Sequence, residues 1–131
     1  MAHDIYAISM SGMAIERAKL HAASLNIANA NSIASSASSV YKVKHLDVQG
    51  LSFKQIVEAD MMSLLNQKAQ VKAQYKPEHA LANDEGFIYL PEINLATEML
   101  NLNSATRAYE ANVKAFNAYK GMSSKALEIG K

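Results

Sequence analysis

The side chains able to do chemistry are present but scattered. Four histidines, His3, His21, His45 and His79, lie far apart. None forms an HxxxH or HExxH pair, the spacing that turns two imidazoles toward one metal on a helix. Each reads as an exposed or locally bonded imidazole. Cys is absent, which removes a disulfide framework, a thiolate metal site and cysteine catalysis. Gly12, Gly50, Gly86, Gly121 and Gly130 are isolated, too sparse for a loop that cradles phosphate. No GxSxG elbow frames a serine. Asp84 and Glu85 are adjacent in a turn, so their carboxylates diverge and read as a solvated turn instead of an acid/base pair. No catalytic constellation results, and neither a metal nor a cofactor is expected.

Two polar groupings say more. Asn26 and Asn29 stand three apart near the end of a helical segment, hence on one face. Asn is poor inside a helix because its amide competes for backbone groups. Two in the final turn read as a terminating device, and in a sharper reading as a register lock against a partner. Arg107, Tyr109 and Glu110 form the second grouping. They read either as a bulky seam residue beside a weak surface ion pair, or as a recognition surface for a neighbouring subunit.

The element that carries the second grouping is the dominant feature of the chain. Leu95, Met99, Leu102, Thr106, Tyr109, Val113, Phe116, Lys120, Ser123 and Leu127 recur at alternating spacings of four and three with no Pro in the run. Such a period puts one stripe on one face of a helix. At about 1.5 Å per residue that helix is roughly 50 Å long. A globule of this chain length has a radius of gyration of about 14 Å, hence a diameter near ~36 Å. The helix overshoots any core the chain builds alone, so its stripe needs another chain. Asn94 is placed to cap it, and Glu98 sits in its first turns, where the helix dipole favours negative charge.

A first helix is expected from about residue 3 to 30. Ile5, Ile8, Gly12, Ile15, Ala22 and Leu25 keep the four-three spacing, with Lys19 the one charged interruption. Ala7, Ala14, Ala18, Ala23 and Ala28 line the neighbouring positions, and small side chains let two helices approach closely. Alone, such a helix is marginal in water. Residues 32–39 form a Ser/Ala-rich connector, flexible by composition. The middle section reads as β-rich. A strand is expected near 41–46, a short element at Phe53, Ile56 and Val57, the clearest strand at 69–75 and another at 87–90 before Pro91. Residues 58–66 fit either a helical turn or an apolar flap. Residues 83–86 (Asn-Asp-Glu-Gly) signal a turn in which Gly86 takes positive φ.

Of the 131 residues, half are apolar but only 7% aromatic, so one domain with a thin core is expected. A net charge of +1 and a pI near 7.9 give no electrostatic case for nucleic acid or an anionic membrane. Residues 20–41 carry no charge yet are too rich in Asn and Ser to span a bilayer. No cleaved secretory signal is visible, since Asp4 sits where positive charge is wanted.

Some of these segments also resemble a known family. Residues 24–32, Ser-Leu-Asn-Ile-Ala-Asn-Ala-Asn-Ser, resemble the N-terminal signature of the bacterial flagellar rod and hook proteins, in which Asn-(Leu/Ile)-Ala-Asn closes the first helix. Glu98-Met99 through Arg107-Ala108-Tyr109-Glu110-Ala111-Asn112 resembles their C-terminal signature. Tyr75-x-Pro77-x-His79, Ala82, Gly86-Phe87-Ile88 and Pro91 are similar to the proximal rod subunits of that family, as are Tyr41-Lys42-Val43-Lys44 and the ending Leu127-Glu128-Ile129-Gly130-Lys131.

The resemblance implies a mainly α protein whose long terminal helices (1–31 and 93–131) pair as an antiparallel-like coiled coil. They flank a Ser/Ala connector (32–40) and a small β-rich insert (41–92). It implies a non-enzymatic structural subunit without cofactor, exported by the flagellar type III apparatus without a cleaved signal. Its place would be the periplasmic rod of the basal body, among copies of itself and other proximal and distal rod proteins, transmitting motor torque. Neither nucleic acid nor direct membrane insertion is implied. The packing residues would be Ile5, Ile8, Gly12, Ile15, Leu25, Asn26 and Asn29 on the first helix. On the second they would be Leu95, Met99, Leu102, Arg107, Tyr109, Glu110, Asn112, Val113, Phe116 and Leu127. On the residues alone, a soluble coiled-coil adaptor dimerising through 95–129 stays open. So does a small β-rich enzyme with helical tails, which would need a polar pocket in 40–92 that the sequence does not show.

Overall fold

Asn94 ends the middle section and starts the last helix: its side-chain oxygen accepts the Thr97 N–H at 3.3 Å, capping an orphan donor of the first turn. From there helix α3 runs without a break over Leu95–Ile129. The structure, a computed structural model, describes residues 2–130, with side chains from Asp4 onward. In chain order it contains α1 (Ala2–Ala28), β1 (Val43–Leu46), a short helix α2 (Phe53–Glu58), β2 (Leu65–Lys68), β3 (Val71–Tyr75), β4 (Phe87–Pro91) and α3. Single 3-10 turns lie at Ala37–Ser39 and Met61–Leu64. The long terminal helices pack on each other and flank the small β-containing middle, as the sequence predicts.

The middle is two antiparallel hairpins instead of one sheet. In the first, Val43 faces Lys68 and Leu46 faces Leu65; in the second, Val71 faces Pro91 and Tyr75 faces Phe87. β2 is an unforeseen strand that begins at the end of the ambiguous 58–66 segment and runs past it, while Met61–Leu64 within that segment takes the helical-turn alternative as a 3-10 turn. The element at Phe53–Glu58 is a helix because Ser52 and Gln55 close a capping box: Gln55 N–H donates to Ser52 Oγ, and Ser52 N–H to Gln55 Oε1. Pro91 ends the ladder from inside it, buried at the last position of β4.

The turn at 83–86 is organised by Asn83, whose Oδ1 accepts the N–H groups of Glu85 and Phe87. Gly86 has φ +84°, and a Cβ there would lie 2.8 Å from the Tyr75 ring, so both conformation and space require glycine. The Ser/Ala connector is tied down at both ends. Ala34 and Tyr89 exchange backbone hydrogen bonds of 2.8 and 3.0 Å, and Val40 is buried. A composition that reads as flexible is held here by two local anchors.

The core is thin, as the low aromatic content implies. It consists of Ala18, Ala22, Ala23 and Ala30 from α1 and its exit, Val40, Val43 and Met61 beneath them, Ile88, and Ala105 of α3. At its centre sits an amide. Asn26 is fully buried and uses all four of its hydrogen-bonding positions. Nδ2 donates to the Lys44 carbonyl (2.9 Å) and to Glu98 Oε2 (3.3 Å). Oδ1 accepts the Lys44 N–H (3.0 Å) and the Tyr41 hydroxyl (2.9 Å). A flipped amide would set its NH₂ against the Lys44 N–H, so the orientation is determined. One side chain thus ties α1 to β1 and to the start of α3.

Asn26→Ala leaves a backbone N–H, a carbonyl, a hydroxyl and a carboxylate without their partner. Each buried orphan costs about 1–3 kcal/mol, so the expected loss is about 3 kcal/mol or more. Asn29→Ala, which removes a bond to the Leu25 carbonyl (2.9 Å) and an exposed one from Ser32 Oγ (3.3 Å), should cost about 1 kcal/mol. Urea unfolding followed by circular dichroism compares the two; equal losses would remove Asn26 from the centre of the fold.

The clamp also predicts an alkaline limb. Burial, reinforced by the Glu98 carboxylate, raises the Tyr41 hydroxyl above its ordinary value of 10.0. The folded chain therefore holds this proton more tightly than the unfolded one. The stabilisation is complete below about pH 10 and is lost as pH rises through the folded value. The urea midpoint of the native chain should fall more steeply above about pH 10 than that of Tyr41→Phe, which has no proton to lose. Parallel pH profiles of the two would refute the assignment.

Candidate assembly interface

α1 and α3 run antiparallel along a seam closed at three levels. At one end the Tyr6 ring meets Phe116 and Tyr119 edge to face, with centroids 5.1 and 5.3 Å apart. In the middle the backbones come close: a Cβ on Gly12 would lie 3.2 Å from Asn112 Nδ2. At the other end Asn26 reaches Glu98. The buried alanines of α1 lie between these last two levels and permit the approach.

Part of the expected stripe makes this seam. Leu102, Tyr109, Phe116 and Ser123 are half-buried, and Gly12, Ile15 and Leu25 lie half-buried on α1. The seam is rotated by one helical position from the apolar periodicity, because its other members on α3 are Glu98, Ala105, Asn112 and Tyr119. These share a spacing of seven, yet two of them are polar, so an apolar filter passes over them. Tyr6 was likewise unforeseen.

The remaining stripe residues face outward. Leu95 and Ile5 are exposed, Ile8 is 49% and Met99 51% exposed, and Thr106 and Val113 are half-covered. Near the end of α3, Leu127 is 72% and Ile129 86% exposed. These last turns lie past the level at which Tyr6 meets Phe116 and Tyr119.

Asn29 behaves as the terminator, donating to the Leu25 carbonyl and accepting from Ser32 Oγ, while Asn26 is the tertiary clamp. Arg107 and Glu110 are exposed and do not pair with each other; the ion pairs among the described residues are Lys19–Glu16 and Lys54–Glu58. Tyr109 lies in a shallow groove with Met10, Met13, Ala14 and Arg17.

The histidines are not brought together. His21 and His45 are exposed, and His79 Nδ1 accepts the Leu81 N–H at 3.1 Å. The side chain of His3 lies outside the described residues. Among the described residues no three acidic, His or Cys side chains could hold a metal ion, and no helix is long and apolar enough to cross a membrane.

The chain exposes 9046 Å². A compact protein of 14.3 kDa exposes about 6,800 Å². Large apolar side chains stay exposed along both helices, from Ile8 and Met10 on α1 to Met99, Leu127 and Ile129 on α3.

The comparisons agree with this geometry. Residues 84–129 match the family described as "Flagellar basal body rod FlgEFG protein C-terminal". Over 129 residues the chain is 30% identical to the flagellar basal-body rod protein FlgC of Salmonella typhimurium, covering 97% of this chain and 96% of that one. It is 34% identical to FlgC of Bacillus subtilis over 142 aligned positions, with 95% of each covered. FlgC of Escherichia coli O6:H1 is 30% identical, again over 97% of this chain and 96% of its relative. With both ends, the clamp and the whole middle section inside these alignments, the chain belongs to the FlgC family of flagellar basal-body rod proteins.

Proposed function

We propose that this chain is a structural subunit of the flagellar basal-body rod, built into its proximal part, where it forms a length of the axial shaft that carries motor torque. It is not an enzyme. Its partners are copies of itself and the other rod proteins. It reaches the periplasm through the flagellar type III apparatus. The observation that supports this reading is α3: an unbroken helix of 35 residues, on the order of 50 Å long, with apolar side chains left uncovered by its own chain. Torque transmission needs stiff elements joined by large interfaces. A continuous helix locked to a second helix by aromatic contacts and a buried amide clamp supplies the stiffness. The uncovered stripe supplies the interface.

Leu127→Glu separates folding from assembly. Leu127 is 72% exposed, so the change should alter the stability of the isolated chain by no more than about 0.5 kcal/mol. In an assembled rod the same carboxylate would be enclosed without a partner, at a cost of several kcal/mol. The expected result is a secreted, normally folded protein and cells that do not swim in soft agar. Asn103→Glu, an exposed position off the stripe, is the control and should swim. Normal swimming by Leu127→Glu cells would show that the end of α3 is not an assembly surface.

A further inference from the structure

Beside the clamp, α1, β1 and α3 leave a cleft of about 320 Å³. Buried Ala22, Ala23 and Ala105 form its apolar part. Along its α3 wall stand Glu98, Asn101 and Ser104, three apart and so one above another on the helix. Glu98 is only 6% exposed, yet within the described residues its carboxylate receives a single hydrogen bond, the 3.3 Å contact from Asn26 to Oε2. No sealed polar side-chain atom there lacks a partner, so Oε1 is the oxygen that opens into the cleft. Lys19, Lys44 and His45 also line the cleft, yet none lies within ion-pair distance of Glu98, and Lys19 is held by Glu16.

A carboxylate withdrawn from water with one weak bond calls for a positive partner. Glu98, Asn101 and Ser104, each with a side-chain oxygen able to accept, line one face of α3 beside the alanine floor. That pattern suits a guanidinium, which is planar, permanently charged, weakly hydrated and carries five donors in a fixed fork. An ammonium offers a compact point charge and keeps its water more firmly. The chain has two arginines. Arg17 lies in the separate groove beside Tyr109. Arg107 is exposed, takes part in none of the ion pairs among the described residues, and stands nine residues, about 13 Å, along the same helix from Glu98, out of reach of its own cleft.

We infer that the cleft is a receptor for an arginine side chain and that its occupant is Arg107 of a second copy, bound by Glu98, Asn101 and Ser104 of the first. The inference rests on the self-assembly reading above and names one contact within it. Because donor and receptor lie on different parts of the surface, the contact is heterologous and each copy can both give and receive.

The test replaces His45, an exposed rim residue that takes no part in binding, with the photocrosslinking amino acid p-benzoylphenylalanine in cells whose sole copy of the gene carries the change. Irradiated swimming cells should yield an adduct of two copies, with the second copy joined through a peptide containing residues 103–111. An adduct to another region or another protein, or none, overturns the contact and leaves the rod reading standing. A strain deleted for the chain that still swims sinks the rod reading itself. Should the photocrosslinking strain fail to swim, Glu98→Gln and Arg107→Gln decide. Both purified variants should keep the native circular dichroism spectrum. Each should reduce intact basal bodies per cell by at least about fivefold, and the double variant should be no worse than the worse single. Reductions that multiply, or no reduction at all, overturn the inference.

Discussion

The fold depends on a buried amide with no spare valence. Asn26 holds the backbone of Lys44 through both of its polar groups, the hydroxyl of Tyr41 and the carboxylate of Glu98. Three segments distant in sequence meet at one side chain, and each depends on the other two for a partner. In low-dielectric surroundings such a network is worth most when complete and costs most when broken. It also sets the register. If α3 slid by one turn along α1, Glu98 would leave the amide, Asn112 would leave the space above Gly12 and the rings around Tyr6 would separate. Polar satisfaction at one end and close packing in the middle therefore specify the same alignment, which alanine contacts alone would define poorly.

How much of this could be read in the chain varies with the kind of signal. α3 and its Asn94 cap, the Gly86 turn and β4 were legible because each is written in local residue types: an uninterrupted period, a capping side chain, a glycine where φ must be positive. β2 was not, since Leu65–Lys68 alternates nothing and is a strand only because β1 lies beside it. The two asparagines looked alike in sequence and do different work. Asn29 acts on its own helix, which local reasoning reaches, while Asn26 acts across 72 residues to Glu98, which it does not. The seam was displaced by one helical position for a related reason. Its polar members, the buried Glu98 and the half-buried Asn112, are covered because another element supplies their partners or their space.

That displacement has a physical consequence. An apolar stripe wider than its partner helix cannot be covered by that helix alone. α1, with its small side chains, approaches α3 closely but shields only one edge of the stripe, leaving Met99 and Leu127 outside. The thin alanine seam and the exposed large residues are two sides of one arrangement. Small residues draw the chain's own helices together, and larger ones stay exposed on the outer face. A thicker intramolecular core would bury the same side chains and leave a more self-sufficient but less adhesive subunit.

Exposed apolar helices raise the question of why the hairpins do not associate as well. Each sheet has only two strands, so β2 and β3 present open edges among the described residues, and open edges invite indiscriminate pairing. The sequence there is hostile to it. Lys68, Lys72 and Lys76 punctuate this stretch, with Gln70 and Gln74 between them. β3 is exposed along nearly its whole length, so a second chain docking on it would have to desolvate lysines for little apolar gain. The free edge of β4 is occupied at Tyr89 by Ala34 of the chain itself. Pairing is thereby discouraged at the strand edges, where backbone contacts would specify no geometry, while the helices carry exposed apolar side chains at a fixed period. For a subunit that must join an ordered shaft and avoid forming an aggregate, that division is a condition of assembly.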